Sequence, residues 1–320
     1  EMRAGNHWFV PHRHGEYYAH KPPLMFWLIN AGACLTGGEI GKLATRLPSL
    51  LGVILVLWTV SIMTELWVDR RAAWRAVFIA ATTVAIWWRA GWGQIDMLLC
   101  GLQMAGLCLL FLDDQRKTVW RPFLAYSCFG LGILAKGPVG FIVPIGAYLT
   151  ANLAAGTARN LRRWHWLWGV LVVLLWPAGW LLLAKLTGGS DAYFDELLLK
   201  QNAGRAAGGF GHIRPFYYYL EYLLIEGLPW ILVLPFSLII LKKRAPAFNK
   251  AVRLALGWSV FVVLFFSVLP TKRSLYILLA YPALAIIIGA AWSRLESAPR
   301  ELFRAGVTFF ILLYLAVSVV

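Results

Sequence analysis

The chain has 320 residues, 60% of them apolar and only 14% charged, with a formal net charge of +15 and a mean hydropathy of +0.67. A soluble domain carries about 25% charged residues, so this composition excludes an ordinary globular protein. The basic excess does not imply nucleic acid, because no DNA- or RNA-binding motif accompanies it and the cytoplasmic loops of membrane proteins collect Lys and Arg in any case.

Residues 1–44 form the first polar segment. It includes His12-Arg13-His14, a weak zinc-type pattern, and Tyr17, Tyr18, His20 and Lys21 just before Pro22-Pro23. The run at 22–38 (PPLMFWLINAGACLTGG) falls short of the ~20 residues needed to cross a bilayer and is expected to lie along the interface as an amphipathic helix. Longer apolar runs follow at 45–67, 72–89, 94–113, 121–136, 138–155, 165–186, 216–241, 251–269, 274–292 and 303–320. Lipid offers no hydrogen bonds to a bare backbone, and these runs are too continuous for barrel strands, so the expected fold class is an all-α polytopic membrane protein.

The segments between spans alternate in character. One set holds Arg70, Arg71 and Arg75; Arg116, Lys117 and Arg121; Arg159, Arg162 and Arg163; the Lys242–Arg253 cluster; and Arg294, Arg300 and Arg304. Together these are more than half of the 30 basic residues. The positive-inside rule assigns them to the cytoplasm. The remaining segments then face outward: 1–44, 89–96, the turn at 136–138, the long loop 187–215 and 270–273. Any chemistry is expected there.

Charge at span ends narrows the search. A charged side chain within the membrane costs ~2.5–3.5 kcal/mol on insertion scales. Lys42, Arg46 and Lys185 can snorkel to the interface, but a short carboxylate cannot, so Asp96, which opens a span, needs a functional reason. Lys136 closes another span in the outward set. Lys272 and Tyr276 are four apart and share a face if a helix begins by Lys272. Asp191 and Asp195 share that spacing but read as a solvated helix face. His165 reads as interfacial, His212 as a candidate within the charged loop, and Cys34, Cys100, Cys108 and Cys128 as buried thiols without metal-ligand spacing. Outward cations with a carboxylate and Tyr hydroxyls suit a phosphate-bearing, membrane-embedded substrate. The carboxylate can take a proton or hold a divalent metal.

Seven stretches in order (EMRAGNHWFVP, HKPPLMFWLI, RLPSLLG, the Asp of GQIDMLL, LAKGPVGF, NAGR with GGFGHIRPFYYYL, and PTKRSLYILLAYPALA) resemble the GT-C glycosyltransferases of the protein O-mannosyltransferase superfamily, especially the branch of aminoarabinose transferases that modify lipid A. The resemblance implies a GT-C-like multi-helix bundle in the bacterial inner membrane, with interfacial helices in the first periplasmic loop and an active site facing the periplasm. It implies a polyprenyl-phosphate sugar donor, no nucleotide cofactor, and an acceptor that is lipid A, another envelope glycan or a protein. Lys21, Lys136, Arg205 and Tyr276, joined by Lys272 of the same loop, are then expected around the donor phosphate, with Asp96 as the second catalytic-site acid. A divalent metal (Zn, Mg or Mn) would involve His20, which precedes the Lys of KPP, and His212. The family's first acid falls upstream of Glu1, and the first span and any C-terminal soluble domain are expected outside this chain. A transporter or flippase of a lipid-linked anion is the alternative. It predicts internal repeats and charged or broken helices at mid-membrane depth.

Overall fold

In the computed structural model the described residues are 1–3, 5–197, 213–244 and 249–294. Arg205, His212 and the expected span 303–320 lie outside them. A short hairpin, β1 (His12–Arg13) and β2 (Glu16–Tyr17), precedes α1 (Leu24–Leu35). At 12 residues α1 is too short to cross a bilayer, as its sequence implied. It leads through a glycine-rich turn into α2 (Lys42–Trp67).

The bundle continues with α3 (Arg70–Thr82), α4 (Val84–Ala90), α5 (Ile95–Gln115), α6 (Trp120–Lys136), α7 (Val139–Ala154) and α8 (His165–Leu186). Then follow α9 (Asp191–Asp195), α10 (Tyr218–Glu226), α11 (Leu234–Arg244), α12 (Asn249–Val268) and α13 (Ala280–Ser293). Single 3-10 segments occupy Ala158–Leu161, Trp230–Val233 and Ser274–Leu279. Every expected span within the described residues is helical. Five segments are long and apolar enough to cross alone: Lys42–Trp67, Ile95–Gln115, His165–Leu186, Lys250–Val268 and Ser274–Ser293. A sixth is formed if Tyr218–Glu226 and Trp230–Lys242, bent by 101°, count as one. The other expected spans are shorter or broken.

The run at 72–89 is broken at Thr83, which is extended (ψ 128°) between α3 and α4. The run at 216–241 is broken at Gly227-Leu228-Pro229. A backbone N–H freed inside a membrane protein must find a partner within the protein, and the two breaks supply one another. The Val84 N–H donates to the Leu228 carbonyl at 3.1 Å, and the Trp230 indole donates to the Thr82 hydroxyl at 2.9 Å.

Two segments form the interior, Ile95–Gln115 with 72% and Ser274–Ser293 with 83% of their apolar windows buried, whereas His165–Leu186, at 28%, is peripheral. α5 packs against α2, α6 and α7. Its contact with α2 depends on glycine: a Cβ at Gly52 would lie 2.2 Å from the Met97 carbonyl oxygen, so no larger residue fits without separating the helices. The α6–α7 turn needs glycine for a different reason, since Gly137 sits at φ +87°, where side chains are disfavoured.

One sequence expectation is corrected: Cys34 is exposed at the end of α1 rather than buried, while Cys100 and Cys108 are buried. His165, the first residue of α8, is buried against its neighbours, and its Nδ1 meets the Tyr126 hydroxyl at 2.9 Å. Asp191 and Asp195 are both exposed, as a solvated face requires.

Candidate active site

Helix direction gathers the charges. α5 begins where α6 ends, so Asp96 in the first turn of α5 meets Lys136, the last residue of α6, and the two form an ion pair with little solvent exposure. The tight turn at Gly137-Pro138 ends α6 at this lysine. Tyr276 arrives from the 3-10 segment Ser274–Leu279, and the Lys136 ammonium lies 4.5 Å from the centroid of its ring. A cation over an aromatic face is attracted by the ring quadrupole, more so where water is scarce. Phe266 of α12 backs the same ring at 5.2 Å.

Beside these three residues a cavity of about 320 Å³ runs into the bundle. Leu99, Val139, Ile142 and Phe265 typify its apolar wall, and its polar lining is confined to Asp96, Gln103, Lys136, Thr271 and Tyr276. Gln103, two turns below Asp96 on α5, donates to the Val139 carbonyl at 2.9 Å. The arrangement is an apolar slot with a charged mouth.

The 3-10 segment separates this slot from a second, polar cavity of about 530 Å³, lined by Arg89, Gln94, Arg214, Glu226, Lys272 and Arg273 among others, with Leu275 shared by both. Lys272 therefore does not join Tyr276 as the four-residue spacing suggested. Helical geometry begins only at Ser274, as 3-10, and Lys272 turns to the second cavity. It is 4% exposed and donates to the carbonyls of Leu269 and of Arg214, the latter at 3.1 Å. Burial lowers its pKa below the ordinary lysine range.

The first segment closes over the same end of the bundle. Leu24, three residues beyond Lys21, packs in one cluster with Leu98, Leu134 and Ala135, the neighbours of Asp96 and Lys136. Lys21 is half-buried and His20 exposed on the strand of chain leading to α1. The Trp180 indole holds the segment down through the Phe9 carbonyl at 2.8 Å, and Tyr17 meets Tyr193 at 5.9 Å. Among the described residues no group of three or more His, Cys, Asp or Glu could hold a metal ion.

One functional pair escaped the sequence reading. Arg89, buried at the end of α4, binds Glu226 of α10 at 2.7 Å, Ser274 at 3.2 Å and the Ala85 carbonyl at 2.9 Å. The Tyr281 hydroxyl reaches the same carboxylate at 3.4 Å. The pair thus fixes the start of the segment that carries Tyr276. Its signal was the carboxylate of Glu226 in the apolar run YLLIEGLPW, since an acid at membrane depth needs a partner.

The fold is thus an apolar multi-helix bundle that places a charged pair at the mouth of an apolar cavity. The chain belongs to the dolichyl-phosphate-mannose-protein mannosyltransferase family, whose model matches residues 20–182. It is 29% identical over 311 residues to the undecaprenyl phosphate-alpha-4-amino-4-deoxy-L-arabinose arabinosyl transferase of Edwardsiella ictaluri, covering 92% of this chain and 53% of that protein. An uncharacterized protein of Aquifex aeolicus is 29% identical over 289 residues, covering 90% and 64% respectively. Among solved structures, ArnT from Cupriavidus metallidurans bound to undecaprenyl phosphate matches with a TM-score of 0.80 at 24% identity, over 95% of this chain and 55% of that one. The archaeal oligosaccharyltransferase AglB from Archaeoglobus fulgidus matches at 0.53 and 16% identity, over 96% and 47%. These likenesses bear out the GT-C-like helical fold expected from the sequence. The chain spans between about half and two thirds of the length of the curated relatives it matches.

Proposed function

We propose that the chain is the membrane-embedded part of a glycosyltransferase that moves a sugar from a polyprenyl-phosphate donor to an acceptor on the periplasmic side of the bacterial inner membrane. The observation that carries this reading is the Asp96–Lys136 pair at the mouth of an apolar cavity, with Tyr276 beneath the ammonium. An isoprenoid needs an apolar slot, and its phosphate needs a cation at the slot's mouth. The identity with undecaprenyl-phosphate aminoarabinose transferases supports the donor class.

In the reaction the bond between the anomeric carbon and the phosphate oxygen breaks, and negative charge gathers on the departing polyprenyl phosphate. Lys136 is positioned to stabilise that charge in a site poor in water, where a fixed cation acts more strongly than solvent. The acceptor oxygen forms the new bond to the anomeric carbon. Asp96 is the described carboxylate able to take the acceptor's proton, and in the resting enzyme it holds Lys136 in place. Lys21 approaches from the first segment as a second cation, and Arg205 is assigned to the same phosphate. The acceptor is a lipid such as lipid A, another envelope glycan or a protein. A divalent metal, if bound, would draw on His20 and His212 and would supply positive charge against the donor phosphate; no step depends on it.

The test is release of polyprenyl phosphate from labelled polyprenyl-phosphate sugars by membranes containing the full-length protein, compared with Asp96→Asn. Release lost in the variant supports the reading. Release at the normal rate in the variant removes Asp96 from catalysis. No release from any donor by folded protein favours a transporter of the same lipid-linked anions.

A further inference from the structure

At the opposite end of the bundle from Asp96, a third cavity of about 520 Å³ opens between the start of α6 and the start of α8. Its polar rim is cationic: Lys117 and Arg162 are exposed, Arg163 is partly buried, and no carboxylate lines it. Arg163 is already paired with Asp113, which lies behind the cavity. Lys117 and Arg162 have no ion-pair partner among the described residues.

Two further observations point to an anion. Both helices that begin here are uncapped: neither Val119 before α6 nor Trp164 before α8 makes a side-chain cap, and neither first turn holds an acid. The positive ends of two helix dipoles therefore meet at one opening. In addition His165, 3% exposed, lines the cavity; its Nδ1 is engaged by Tyr126 and its Nε2 is buried without a hydrogen-bond partner.

The surroundings identify the kind of anion. Trp164 at the rim is exposed, and below it Phe123 and Leu124 of α6 and Leu167, Leu171 and Leu174 of α8 form an exposed apolar face. A phosphate pocket continuous with a lipid-facing wall fits a molecule with an anionic head and acyl tails. We infer that this cavity is a headgroup site for an anionic phospholipid of the leaflet at the Asp113 end, with the acyl chains lying along α6 and α8. The site is separate from the donor site and engages no residue of the reaction.

Native mass spectrometry of the full-length protein, equilibrated with equal amounts of phosphatidylglycerol and phosphatidylethanolamine, tests this. The wild type is expected to retain one phosphatidylglycerol selectively. Lys117→Gln with Arg162→Gln is expected to weaken that retention by about 30-fold, two surface charges removed, and the charge-conserving pair Lys117→Arg with Arg162→Lys to restore it. Both positions are exposed, so the thermal unfolding midpoint serves as the folding control. Equal retention of both lipids by the wild type, or unchanged selectivity in the doubly neutral variant, overturns the inference. So does displacement of the lipid by an equal concentration of soluble glycerol phosphate, which would make the pocket a free-phosphate site.

Discussion

The two ends of α5 each pair a carboxylate with a cation, in opposite settings. At one end Asp96 meets Lys136 with a cavity beside them and an aromatic ring beneath. At the other Asp113, fully buried, meets Arg163, while its second oxygen accepts from the Thr118 N–H at 2.6 Å and so closes the α5–α6 loop. Next to it Asp114 accepts from the Tyr148 hydroxyl at 2.7 Å. A carboxylate fastened to backbone and side-chain donors on all sides is a clamp. A carboxylate that itself lines an open slot can give up its partner to a substrate phosphate. The chemistry of the residues is the same; Asp96 lines a cavity together with its cation, whereas Asp113 is sealed behind Arg163 and does not line the cavity that Arg163 does.

The sharpest way to break this contrast is to neutralise each carboxylate in turn. Asp96→Asn is expected to slow polyprenyl phosphate release by about 10³-fold with little loss of folded protein. Asp113→Asn is expected to cost ~3–5 kcal/mol of stability, the penalty for stranding one member of a buried pair, and to leave turnover per folded molecule near normal. Rate per folded protein and thermal midpoint, measured on both, decide the matter; a shared phenotype would erase the distinction.

Next in size is the cation. Lys136→Met is expected to weaken donor binding by roughly 10- to 100-fold, the worth of one charged hydrogen bond, seen as a higher KM for the polyprenyl-phosphate sugar. An unchanged KM would remove Lys136 from the phosphate site. A smaller effect comes through packing. Gly52→Val places side-chain atoms against the Met97 carbonyl, which should cost ~1–3 kcal/mol and displace Asp96, the adjacent residue. Both the midpoint and the rate should fall, whereas the Asp113 end should hold.

The smallest effect is a pH dependence from Lys272, whose pKa burial lowers from 10.5. Between that lowered value and 10.5 the unfolded chain binds the proton that the folded one has released, so this group makes stability rise with pH. Lys272→Met should remove that rise, read as the thermal midpoint as pH is raised toward 10.5. An identical slope in wild type and variant would show that the ammonium is solvated after all.

Much of the architecture was legible because lipid imposes a simple rule on composition. The expected span 165–186 coincides with α8, and the interfacial reading of 22–38 rested on a length that α1 shares. The breaks were harder. Gly227-Leu228-Pro229 carried a recognisable signal, but Thr82-Thr83 did not, since a threonine pair interrupts a helix only when another segment satisfies the freed N–H. The same holds for the site. Asp96 and Lys136 stood out singly by their expense at span ends, but their pairing, the turn of Lys272 away from Tyr276, and the Arg89–Glu226 support arose from contacts 40 to 137 positions apart.

By itself, then, the sequence determined the number of apolar runs, their alternating flanks and the residue types affordable at each span end, because these follow from transfer of side chains and backbone into lipid. Only the tertiary structure decided which charges face a cavity and which are sealed, because that depends on how closely helices approach at Gly52, on the turn that Gly137 makes and on where two broken helices meet.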